Sequence, residues 1–133
     1  MQDKIVEELD SIFGISQRPV TPYDLREMRY LEQCIKETMR LYPSVPFIAR
    51  TLGEDVKVGK YVLPEGCDVL IAPYATHRLS DHFPNPEIFN PDRFEPDQVE
   101  QRHPYAYLPF SAGMRNCIGT QRLNLNCSKL FFI

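Results

Sequence analysis

The spacing of apolar residues changes character three times along the chain. Over 2–13, Ile5, Leu9, Ile12 and Phe13 recur at helical intervals and Gly14 follows, which predicts a short amphipathic helix with a glycine stop. Thr21 is an N-cap candidate, Pro22 suits the first helical position and Asp24 the first turn, so a second helix should run from there to about Leu41, before Pro43. At ~100° per residue, Leu25, Met28, Leu31, Ile35, Met39 and Tyr42 fall on one side. Glu37 and Arg40 fall on the other, with Arg26, Arg29, Gln33 and Lys36. Periodicity alone therefore places Glu37 and Arg40 on a solvated face, where an ion pair contributes only ~0–1 kcal/mol. From 47 to 72 the texture becomes short runs rich in β-branched and aromatic residues, at 48–52, 56–58, 61–63 and 68–72. Gly59-Lys60 suits a two-residue hairpin turn and Pro64-Glu65-Gly66 a second turn. One or two helical turns fit 74–79. Over 83–96, Pro84, Pro86, Pro91 and Pro96 forbid a regular ladder, while Phe83, Ile88, Phe89 and Phe94 call for burial. That combination predicts an ordered, packed meander over 83–108 rather than a linker.

Composition narrows the class. The 133 residues suit one domain, 43% apolar content suits a globular protein, and a net charge of −3 argues against a nucleic-acid partner. Cys34, Cys67, Cys117 and Cys127 form no C-x-x-C pair and no secretory signal peptide is visible, which predicts free thiols in a reducing compartment. No apolar run approaches the ~20 residues of a membrane helix. His77, His82 and His103 have no zinc-site spacing with the cysteines, so a zinc module is disfavoured.

The densest chemistry lies in the loop over 109–119. Cys117 has Gly113 four residues before it, Gly119 two after, and Arg115 two before. Glycines allow tight turns and close backbone approach to a flat group. Backbone N–H groups in such a loop favour a thiolate over a thiol of ordinary pKa, about 8.5, and a cysteine thiolate is a known axial ligand of heme iron. The bland alternative is a glycine loop around a structural cysteine.

The pattern Phe-x-x-Gly-x-Arg-x-Cys-x-Gly at Phe110, Gly113, Arg115, Cys117 and Gly119 resembles the heme-binding signature of the cytochrome P450 superfamily. Glu37-x-x-Arg40 resembles its second signature, and Pro91-Asp92-Arg93-Phe94 the segment whose arginine completes a buried triad with that pair. The resemblance implies that Glu37, Arg40 and Arg93 lock the meander onto the helix. It also implies that Cys117 ligates the iron of heme b, that Arg50 and Arg115 reach heme propionates, and that Phe110 packs beside the sulfur. The stretch 71–94, with 105–113, is closest to the microsomal fatty-acid-hydroxylase branch, which usually has proline where Met114 stands, and His77-Arg78 resembles a structural turn typical of the family.

The implied fold is α+β: two helices within 2–41, a small antiparallel sheet within 47–72, the meander, and the thiolate loop, as the C-terminal part of the mostly helical P450 fold. The tail over 120–133 follows a different course from the family pattern, and the chain reads as a C-terminal piece without the distal oxygen-activation helix or an N-terminal membrane anchor. The implied activity is heme-thiolate monooxygenation of an apolar substrate, fatty acid or other lipid. An NADPH-dependent reductase would be the electron-supplying partner and the endoplasmic reticulum membrane the location. A catalytically inert fragment is the competing expectation.

Overall fold

The computed structural model describes residues 1–16 and 18–119; the tail, with Cys127, lies outside the described residues. Helix α1 (Gln2–Phe13) stops at Gly14, whose φ of 54° suits a residue without a Cβ. Its Ile5, Leu9, Ile12 and Phe13 pack against Met28, Leu31 and Ile35 in a hydrophobic cluster. Each such large side chain, fully buried, contributes ~1.5–3 kcal/mol.

The single helix expected over 21–41 is two, α2 (Pro22–Glu27) and α3 (Arg29–Leu41), broken at Met28 with φ −77° and ψ 65°. Thr21 does cap α2: its hydroxyl accepts from the Asp24 N–H, and the Asp24 carboxylate accepts from the Thr21 N–H. Arg18 grips Asp24 with both guanidinium nitrogens at 2.6 Å, and holds its carboxyl well below the usual range, helped by Thr21. The break has a distant cause. Glu8 of α1 accepts from Tyr30 N–H at 2.7 Å and Leu31 N–H at 3.0 Å, so a carboxylate caps a new helix start while Met28 turns into the core.

Helix α3 is buried on two sides. One faces α1; the other packs on the 3₁₀ turn Pro91–Phe94. Glu37 and Arg40 lie under that second contact and are 0% exposed, contrary to the solvated position that period alone assigns. Tyr42, expected in the apolar stripe, is exposed, because the helix ends at Leu41 and Leu41 takes the buried place.

The strands form two separate antiparallel ladders. Strand β1 (Ile48–Thr51) pairs with β4 (Asp68–Ile71), Arg50 opposite Val69, and β2 (Val56–Val58) pairs with β3 (Tyr61–Leu63). Gly59 has φ 61° while Lys60 keeps a negative φ, the signature of a type II′ hairpin. Short helix α4 (Pro73–Thr76) precedes the meander and α5 (Pro96–Glu100) lies within it. There Phe83 and Phe94 are buried and sandwich the Arg102 guanidinium, at 4.4 and 5.4 Å from their centroids. Arg102 also donates to the carbonyls of His82 and Arg93, so side chains replace the ladder that the prolines forbid. Ile88, grouped with the aromatics for burial, is exposed. The architecture is α+β, and no helix among the described residues is long and apolar enough to cross a membrane.

Candidate functional site

The Cys117 loop is closed by its own backbone. Cys117 N–H donates to the Phe110 carbonyl at 3.0 Å and Asn116 N–H to the Gly113 carbonyl at 3.2 Å. The second bond makes 113–116 a reverse turn with Met114 and Arg115 at its centre. Neither has positive φ, which makes the turn type I. Gly113 sits at φ 81° and Ser111 at φ 63°. A Cβ added at Gly113 would meet nothing within 4 Å, so glycine serves the dihedral there rather than a close contact. Gly119 ends the described segment.

The loop forms one wall of a cavity of about 260 Å³. Cys117, Arg115 and Phe110 line it from one side, and Val45, Ile48 and Arg50 from the other. The period-2 geometry of β1 explains Arg50: it shares the more buried face with Ile48, while Ala49 and Thr51 point away. Arg50 also donates to the carbonyl of Ala49. Cys117 and Arg115 are exposed, and Phe110 and Arg50 half-buried. The donor set is one sulfur, two guanidinium groups and largely apolar walls. It fits heme: a thiolate for iron, arginines for carboxylates, and apolar side chains for a macrocycle. Larger cavities of about 460 Å³ lie elsewhere, and the one beside Arg93 and Arg102 is lined by Asp81, Asp92 and Glu95. Its polar rim suits no apolar cofactor, and Cys117 is not in it.

Under the Pro91–Phe94 turn lies the Glu37–Arg40 cluster. Arg40 donates from Nε to Glu37 Oε2 at 2.7 Å and from Nη2 to Oε1 at 2.9 Å, a bidentate fork. Its Nη1 donates to the His77 carbonyl at 2.9 Å, and Nη2 to the Pro86 carbonyl at 2.6 Å. Glu37 Oε1 also accepts from Asn90 N–H at 2.8 Å. Arg93 comes within 3.6 Å of Glu37 through Nε, which is buried without a hydrogen bond, while its Nη2 donates to the Asn85 carbonyl. Burial lowers the Arg93 pKa, and the Glu37 charge opposes that shift.

Sequence reasoning gave His77 only a turn. Its imidazole is fully buried, and Nε2 accepts from Leu108 N–H at 2.8 Å. Burial lowers its pKa to about 4, and the charges of Arg40 and Arg78 act the same way. Tyr107, 5.2 Å from that ring, donates its hydroxyl to the Lys36 carbonyl of α3 at 3.0 Å, and burial raises its pKa. Neither contact has a local signal, because each joins residues far apart in the chain.

The cytochrome P450 family model matches residues 1–132, beyond the point where the signature motifs end. "Probable cytochrome P450 4aa1" of Drosophila melanogaster is 60% identical over 120 residues, covering 90% of this chain and 24% of the relative. "Cytochrome P450 4V2" of Homo sapiens is 56% identical over 119 residues (90% and 23%), and "Cytochrome P450 4c3" of Drosophila melanogaster is 56% identical over 119 residues (89% and 22%). The chain thus spans about a quarter of the length of the curated relatives it matches. With a match from end to end and these identities to family 4 members, the chain belongs to the cytochrome P450 superfamily, in its family 4 branch.

Proposed function

We propose that the chain is the proximal heme-binding part of a heme-thiolate monooxygenase, with Cys117 as the thiolate that would hold the iron of heme b. The carrying observation is the cavity that joins Cys117, Phe110 and Arg115 with Arg50 of β1. When bound, the heme supplies an iron centre that activates molecular oxygen for insertion into an apolar substrate. Cys117 would hold that iron as a thiolate donor. Arg50 and Arg115, which line the same cavity, would pair with the heme carboxylates. Phe110 lines the cavity beside Cys117. Glu37, Arg40 and Arg93 hold the meander, and with it the loop, against α3. Family 4 membership supports a fatty acid or related lipid as substrate, an NADPH-dependent reductase as electron source and the endoplasmic reticulum membrane as location.

A second reading is a catalytically inert chain. The exposure of Cys117 among the described residues favours it. One absorbance experiment separates the two. The heme-loaded chain, reduced and treated with carbon monoxide, should give a thiolate-type band that Cys117→Ser abolishes. No heme uptake by the wild-type chain would sink the first reading and support the second.

A further inference from the structure

We infer that His77 is the positioning residue of the Cys117 loop, with its neutral imidazole as the fixed acceptor that ties the loop to the Glu37–Arg40 cluster. The ligand role of Cys117 belongs to the reading above; the His77 contact stands independently of it.

The connection is continuous. Arg40, held by Glu37, donates to the His77 carbonyl at 2.9 Å. The His77 ring then accepts from Leu108 N–H at 2.8 Å. Two residues on, the Phe110 carbonyl accepts from Cys117 N–H and closes the loop. Tyr107, adjacent to Leu108, is anchored separately to Lys36 of α3. The segment that carries the loop is thus held at two successive residues. One hold runs through α3 directly and the other through His77.

The protonation state follows from the geometry. An Nε2 that accepts from a backbone N–H carries no proton, so the neutral ring has its proton on Nδ1. Nδ1 is buried without a hydrogen-bond partner. An orphaned donor is a cost, so the ring's polar contribution comes from the Leu108 contact alone. Protonation of Nε2 would break that contact and place a cation beside Arg40 and Arg78, so the ring stays neutral across the physiological range.

The test compares His77→Gln, whose side-chain oxygen supplies an acceptor, with His77→Met, which keeps much of the volume without one. Two readouts apply to the full chain without heme: amide hydrogen exchange at Leu108 and Asn90, and the alkylation rate of Cys117 by iodoacetamide. In the wild-type chain Leu108 should exchange slowly. His77→Met should speed Leu108 exchange by at least ~10-fold, leave Asn90 protected by Glu37 and change the Cys117 alkylation rate; His77→Gln should restore both readouts. A His77→Met chain that fails to fold where His77→Gln folds also supports the acceptor role. The inference is overturned if wild-type Leu108 exchanges at the free-peptide rate, if Met and Gln behave alike, or if Cys117 alkylation is unmoved when Leu108 is deprotected. Heme uptake enters none of these readouts, so its failure would count against the proposed function alone.

Discussion

Replacing Glu37 by glutamine separates the two positions that the chain's pattern allows for this residue. On a solvated helix face the pair with Arg40 would contribute ~0–1 kcal/mol. In the structure, Glu37 and Arg40 are both 0% exposed. The Glu37 carboxylate accepts two bonds from Arg40 and one from Asn90 N–H, with Arg93 Nε at 3.6 Å. Glutamine keeps the volume but brings an NH₂ where an oxygen met a guanidinium, and it leaves the Arg40 charge buried without a counter-charge. Breaking a buried pair on one side costs ~3–5 kcal/mol, a large share of the ~5–15 kcal/mol that holds a domain together. The carbonyls of His77 and Pro86 still solvate Arg40, which favours the lower half of that range. Urea unfolding followed by far-ultraviolet circular dichroism should show the unfolding free energy falling by that amount, through a lower midpoint at unchanged slope. The double variant Glu37→Leu, Arg40→Met should lose less than the sum of its single changes, because no uncompensated charge remains. A Glu37→Gln loss under ~1 kcal/mol would refute the account, since that is the value of an exposed pair.

Two further outcomes follow from contacts near the loop. An unfolded imidazole takes up a proton near pH 6.5 and the folded His77 only near about 4. As pH falls through that window, the wild-type chain should therefore lose stability relative to His77→Gln, by on the order of 3 kcal/mol at the acid end. Urea midpoints of both chains at pH 7, 5.5 and 4 check this, and parallel curves would contradict it. Met114→Pro should raise the unfolding free energy by ~0.4–1 kcal/mol, and with it the urea midpoint, because Met114 occupies the second position of a type I turn, where proline's φ is preset. A lowered midpoint would count against that turn geometry.

Local chemistry made much of the scaffold readable. The Gly14 stop, the Thr21 cap and the Gly59-Lys60 hairpin each depend on residues within a few positions, and each stands where the pattern put it. The break at Met28 was not readable, because its cause is a carboxylate on another helix. Nor was the burial of Glu37 and Arg40, since period reports one apolar side and cannot announce a polar side that a distant turn will cover. The clustering of Cys117 with Gly113, Arg115 and Phe110 is legible as a motif, whereas the approach of Arg50 depends on how β1 docks. His77 illustrates the limit: its acceptor role rests on a partner, Leu108, that no local rule selects.

Helix α3 is fastened at both ends by charges of opposite sign from other segments. Glu8 grips the N–H groups of Tyr30 and Leu31, and Arg78 Nη2 donates to the Leu41 carbonyl at 2.8 Å. The helix therefore behaves as an axle that can neither slide nor turn. A single residue inserted or deleted between those fastenings would swing one end by ~100° and shift it by ~1.5 Å relative to the other. The Arg40 fork would then leave either Glu37's neighbours or its own carbonyls behind. Length variation is thus costly along α3, while the exposed turn at Gly53-Glu54, before Asp55 accepts from Glu65 N–H, is better placed to absorb it.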